Sequence, residues 1–219
     1  MNDLRTRLRA IVAKEMVTDS AHDLAHLDRV WHNAGMIAED EPGVDTTVLL
    51  AAAYLHDLVN LPKNHPDGKS ASRQSAQKAA PILHSLGLSA DQVHATRHAI
   101  EAHSYSAGIP PETAEACILR DADRLDALGT IGIARNFAVS ATFGQSFYDP
   151  DDPFAQRRPL DDKRFAVDHW KLKLLHLQDG MLTDRGRELA QRRTGILRRF
   201  LDDFADEIGV PLPPEWGQA

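Results

Sequence analysis

Residues 48–59 read VLLAAAYLHDLV, an apolar run that ends on an adjacent imidazole and carboxylate, His56 and Asp57. The run is rich in Ala and Leu, has no polar/apolar alternation, and is apolar on every side. It therefore predicts a buried helix over about 46–59. Burying a carboxylate beside an imidazole costs several kcal/mol unless each is paired, hydrogen-bonded or bound to metal. A hydrogen-bonded core pair and a metal site are the two explanations open to this segment alone.

Working outward, helical periodicity dominates the chain, and no alternating run of β-branched and aromatic residues argues for a sheet. The fold class is all-α. Helices are expected at about 3–17, 22–40, 46–59, 71–87, 89–104, 112–140, 161–178 and 183–208, divided by EPGVD (41–45), NLPKNHPDG (60–68) and AGIPPE (107–112). Ser89 and Thr183 are N-cap candidates. Residues 144–162, GQSFYDPDDPFAQRRPLDD, form the longest irregular stretch and suggest a functional loop or lid. The expectation is one domain over 1–219, with a core at about 20–140 and a C-terminal helical extension at about 160–208.

Composition narrows the function classes. A net charge of -7 argues against non-specific polynucleotide binding, which needs clustered Lys and Arg. No run reaches the roughly 20 apolar residues of a membrane span, and the N-terminus lacks a signal-peptide pattern, so a cytoplasmic location is expected. The lone Cys117 lies in the apolar AEACIL (114–119) and reads as a buried thiol without chemistry.

Two further segments add polar residues to apolar surroundings. His22, His26, Arg29 and Asn33 form one polar stripe beside Leu27, Val30, Ala34 and Ile37, able to line a pocket or simply to face solvent. In DADRLDALG (121–129), Asp121, Asp123 and Asp126 sit among core-like residues, with Asp123 and Asp126 near one another and Asp121 pointing elsewhere. Two imidazoles and two carboxylates make a mixed N/O ligand set that suits manganese, iron, cobalt, nickel or zinc better than calcium. Such an ion would ionise water and neutralise phosphoryl charge, giving hydrolysis without a protein nucleophile.

The order His26, His56-Asp57, Asp123 resembles the H…HD…D signature of the HD-domain phosphohydrolases. That pattern is moderately specific by itself. HLDRVWHNA (26–34), AAAYLHDLVNLPKNHP (51–66), SRQSAQKAAPIL (72–83), AIEAHSYSAGIPPETAEACILRDADRLDALGTIGIAR (99–135) and DPFAQRRPLDDKRFAVDHWKLKLLHL (152–177) are more specific, and they resemble the YedJ/YpgQ-like bacterial subgroup over nearly the whole chain. The resemblance implies an all-α HD-domain helical bundle and a metal-dependent hydrolase that converts (d)NTP to (d)NMP and pyrophosphate. It places His26, His56, Asp57 and Asp123 as metal ligands. Asp123 is preferred to Asp121 because it stands in the step Ala122-Asp123-Arg124, and Asp126 is a candidate for orienting a ligand. Asp57 and His103 are the candidate catalytic residues, His103 to bind a second metal, protonate the leaving group or contact phosphate, unless it is a structural or surface histidine. In binuclear relatives further His ligands lie in the region of His103, but no His-His pair occurs here, so one divalent ion per chain is expected, manganese preferred.

Arg29, Lys63, Arg124 and Lys173 are the candidate phosphate contacts, with Arg157 and Arg158 placed to close over substrate from the long loop. His94, His98 and Glu101 also share a helix face, a weaker metal candidate. The expected partner is a small nucleotide, with no polynucleotide or membrane, and a homodimer is suggested by the subgroup and the long last helix. Alternative readings are a phosphomonoesterase, a cyclic-nucleotide phosphodiesterase, or a nucleotide-binding module without turnover.

Overall fold

The computed structural model describes residues 2–16, 23–60 and 68–217. Among them the regular structure is helical: α1 (Asn2–Glu15), α2 (Leu24–Ala38), α3 (Thr46–Leu55), α4 (Ala71–Ser85), α5 (Ala90–His103), α6 (Ala114–Leu125), α7 (Gly129–Thr142), α8 (Asp168–Leu172), α9 (Asp184–Glu207) and α10 (Pro214–Gly217). No strand occurs among the described residues, only an isolated bridge between Ser146 and Phe165. None of these helices is long and apolar enough to cross a membrane. The chain divides into two compact units, Met1–Asp123 and Arg124–Ala219.

In the first unit α3 is the centre. Every residue from Val48 to Leu55 is buried, and the helix packs against α1, α2, α4 and α5, which its all-round apolar sequence demands. Its entry is fixed by Asp45, whose carboxylate accepts from the N–H groups of Thr47 and Val48 and from Gln92 Nε2 of α5. Ser89 and Gln92 close a capping box on α5. Under α1, Arg5, Arg9 and the Tyr54 hydroxyl converge on Asp28 and fasten α1 to α2 and α3.

The second unit packs α7 against α9, and Thr183 caps α9 by accepting from Gly186 N–H. Two expectations need correction here. The helix expected over 112–140 is two helices: α6 stops at Leu125, Leu128 is extended and Gly129 opens α7 with a left-handed φ of 69°, while the Leu125 carbonyl accepts from Leu128 N–H and from Arg193 Nη1 at 2.7 Å. The helix expected over 161–178 is a turn, the short α8 and a 3-10 segment, Leu174–Gly180. There Asp168, fully buried, takes two hydrogen bonds from Arg158, at 2.5 and 2.9 Å, and one from Asp161 N–H, which holds the chain in a compact turn instead of a helix.

Loop 144–162 is irregular, as expected, and internally tied. The Asp152 carboxylate accepts from the N–H groups of Gln156, Arg157 and Arg158. Ala155 takes a positive φ of 51° within this turn.

Asp45→Ala should cost about 1 kcal/mol, read by denaturant unfolding at pH 7. Burial raises the Asp45 pKa, but hydrogen bonds from Gln92, Val48 and Thr47 outweigh it and set the folded value below the ordinary carboxylate range. Its stabilisation is therefore complete above about pH 4 and is lost as pH falls through the lowered folded value, so the gap between wild type and variant should shrink in acid.

Candidate metal centre

His26 enters from the first turn of α2, where Asp23 caps the helix by accepting from His26 N–H at 2.7 Å. His56 is the C-cap residue of α3, Asp57 follows it in the turn, His103 is the last residue of α5, and Asp123 lies in the last turn of α6. The helix ends orient two of the rings. His56 Nδ1 lies 3.0 Å from the Ala53 carbonyl and His103 Nδ1 lies 2.6 Å from the Ile100 carbonyl, each three residues back. A proton on Nδ1 donates to a carbonyl that the helix end leaves without an amide partner, and the Nε2 lone pair is thereby presented to the site.

The donors meet at spacings suited to a shared ion. His26 Nε2 is 3.5 Å from Asp57 Oδ2 and 3.6 Å from Asp123 Oδ1. His56 Nε2 is 3.3 Å from Asp57 Oδ2 and 3.9 Å from Asp123 Oδ1. His103 Nε2 is 3.7 Å from the other Asp57 oxygen, Oδ1. Two atoms each about 2.1 Å from one ion lie about 3.0–3.4 Å apart, so the shorter spacings match shared ligation and exceed a normal hydrogen bond. Among the described residues His56 Nε2 is buried without a hydrogen-bond partner. Two groups have donor atoms that all lie within 4.8 Å of one another: His26, His56 and Asp123, and His56, Asp57 and His103. Donor type, spacing and the orphaned nitrogen all fit a divalent cation.

Burial raises the Asp57 pKa, but the facing imidazoles override it and hold the carboxylate ionised, well below its ordinary range. On His56 burial pulls down and the Asp57 charge pulls up, with a net upward shift. His103 shifts downward, through burial and the neighbouring His56.

Of the two acids considered for the fourth position, the Asp123 side chain is 31% exposed and faces both imidazoles, whereas Asp121 is completely buried and belongs to neither ligand group. Asn33, on the polar stripe of α2, donates to the Ala122 carbonyl at 3.0 Å and ties α2 to α6 one residue before Asp123. Sequence reading saw the stripe but not that use of it.

Other candidates have different surroundings. Arg29 is half-buried on α2, three residues beyond His26. Lys63 and His22 lie outside the described residues. Arg124 Nη1 donates to the Gly180 carbonyl at 2.5 Å, and Lys173 is exposed where the 3-10 segment begins. Asp126 is buried against Arg135 at 2.5 Å. Arg158 is held by Asp168 and lies over the Phe165 ring at 4.4 Å, so it ties the loop down instead of standing ready to close. The weaker metal face does not assemble: His98 Nε2 accepts from Glu112 N–H, and Glu101 pairs with Arg97. Cys117 is half-buried with its pKa raised by burial, which disfavours the thiolate.

Known proteins resemble this chain in sequence and in fold. A family model described as the HD domain matches residues 23–128. The chain is 31% identical over 209 residues to the uncharacterized protein YpgQ of Bacillus subtilis (strain 168), covering 94% of this chain and 92% of that protein. The crystal structure of Bacillus subtilis YpgQ in complex with ADP matches with a TM-score of 0.71 at 28% identity, covering 98% of each chain. An HD-superfamily hydrolase from Bacillus thuringiensis matches with a TM-score of 0.70 at 29% identity, covering 95% of this chain and 96% of that one.

Elemental analysis of purified variants should find divalent metal lost from His56→Ala and Asp123→Asn and retained in Asp121→Asn, all with unchanged helical circular dichroism. Metal retained in Asp123→Asn and lost from Asp121→Asn would reverse the assignment of the fourth ligand.

Proposed function

The chain belongs to the HD-domain family of metal-dependent phosphohydrolases, and from that premise we propose that it is a nucleotide pyrophosphohydrolase, converting (d)NTPs to (d)NMP and pyrophosphate with one divalent ion, manganese preferred. The observation that carries this reading is the convergence of His26, His56, Asp57 and Asp123 on one ion-sized centre, with His103 against the far oxygen of Asp57. ADP in the complex of the relative YpgQ supports a nucleotide as the ligand class. The relative aligns across both compact units, which supports treating residues 1–219 as one working domain.

In this reading His26, His56, Asp57 and Asp123 hold the ion, which when bound supplies positive charge to the phosphate oxygens and acidifies water. The protein supplies position. Asp57 presents Oδ2 toward His26 and His56 and Oδ1 toward His103, so one carboxylate links the ligand set to the third imidazole. His103, with Nδ1 committed to the Ile100 carbonyl and its pKa lowered, is neutral near pH 7 and offers Nε2 as an acceptor for the proton of the attacking water. The exposed side of Asp123 leaves room for a phosphate oxygen, with Arg29 on α2, Lys63, Arg124 and Lys173 as the candidate cations.

Manganese-loaded protein incubated with a panel of triphosphates, cyclic nucleotides and monophosphates should release pyrophosphate and nucleoside monophosphate in equal amounts. Orthophosphate released from monophosphates, or opening of cyclic nucleotides, would replace this reading with an esterase or phosphodiesterase. Retention of ligand without products would make the chain a binding module. His103→Gln should lower kcat by about 10²–10⁴ while the metal content stays at the wild-type level.

A further inference from the structure

An ion held by imidazoles and carboxylates would meet phosphate oxygens and water, which leaves the base of a nucleotide to other side chains. Within the first unit, the turn after α5 and the side of α6 form an open recess of about 400 Å³ lined by Tyr105, Gly108, Ile109, Pro110 and Arg120. Its volume falls in the range of small-molecule sites, roughly 300–1,000 Å³. Tyr105 is 78% exposed, in a segment where Gly108 takes φ 67° to turn the chain. The Arg120 guanidinium lies over the Tyr105 ring, 5.4 Å from its centroid, and Arg120 Nε is buried without a hydrogen-bond partner among the described residues.

A guanidinium over an aromatic face is itself attractive at an exposed site, so the pair holds its shape without a ligand and leaves the other ring face open. Both halves of the pair grow from segments that also supply the metal centre. Tyr105 stands two residues beyond His103, a span of at most about 7 Å. Arg120 stands three residues before Asp123, about 4.5 Å along α6. A planar π-face, an adjacent apolar wall at Ile109 and Pro110, and a guanidinium with N–H donors are the elements that recognise a nucleobase, by stacking and by hydrogen bonds to ring acceptors.

We propose that Tyr105 and Arg120 form the nucleobase subsite of this protein, stacking and hydrogen-bonding the base of a nucleotide whose phosphates lie at the metal centre. The inference rests on the nucleotide reading given above. It makes Tyr105 and Arg120 specificity-determining residues, acting on the part of the substrate that the ion does not hold.

The test compares two ligands on manganese-loaded full-length protein by titration calorimetry: ADP, and inorganic diphosphate, which has the phosphates but no base. Tyr105→Ala and Arg120→Ala should each lower the ADP affinity about tenfold relative to that for diphosphate. Tyr105→Phe, which keeps the ring face, should preserve the wild-type ratio. A ratio unchanged within twofold in both alanine variants overturns the subsite while leaving nucleotide hydrolysis standing. Wild-type protein that binds neither ligand overturns both. The expected ratio in protein that turns over no triphosphate supports the subsite and overturns only the hydrolytic reading.

Discussion

The constraint on which the first unit depends is the presence of ionisable side chains at the end of a helix that has no polar face. Because α3 is buried on all sides, its polar chemistry can appear only where the helix stops, and His56 and Asp57 occupy that position. The helix end also supplies the means of orientation. The His56 ring nitrogen Nδ1 lies 3.0 Å from the Ala53 carbonyl in the last turn, which turns Nε2 toward the site. His103 repeats the device at the end of α5 with Ile100. Both helices belong to the same packed set, since α3 is covered by α5 and by α2, the helix that carries His26. Core packing and ligand convergence therefore have a common cause.

Much of this was legible in the sequence because it depends on local contrast. A polar pair in VLLAAAYLHDLV, a histidine stripe on an amphipathic helix and three acids in a core-like segment each contradict their surroundings, and the structure brings the predicted residues His26, His56, Asp57, His103 and Asp123 together. The sequence already preferred Asp123 to Asp121 through the step Ala122-Asp123-Arg124, while the difference in their burial and facing is visible only in three dimensions. The cap residues Ser89 and Thr183 were readable for a related reason: a cap acts within three residues of itself.

What was not legible depends on partners distant in sequence or on backbone conformation. Gly129 reads as a tolerable helix residue, and only its φ of 69°, against the side chain of Arg193, shows that it divides α6 from α7. Residues 161–178 have helical periodicity, yet Asp168 is drawn into a fully buried pair with Arg158, and Asn136 takes the Ala166 carbonyl at 3.1 Å. A buried, bidentate ion pair outweighs a propensity difference of a few tenths of a kcal/mol per residue. The same pair separates two neighbouring arginines that look alike in the sequence: Arg158 is a tether of loop 144–162, while the Arg157 side chain is exposed.

Division of labour follows from the chemistry of the ligand set. An ion held by two imidazoles and two carboxylates stabilises charge on phosphate oxygens whatever is attached to them, so it lowers the barrier for many phosphate esters and anhydrides without choosing among them. Choice requires groups that meet the rest of the substrate and lose something when the wrong one is present. In the first unit such groups must come from segments that reach the centre without being part of it, and the stretches just after His103 and just before Asp123 meet that condition. Selectivity could then change through residues 105–120 while His26 and His56, buried in the packing of α2, α3 and α5, stay fixed.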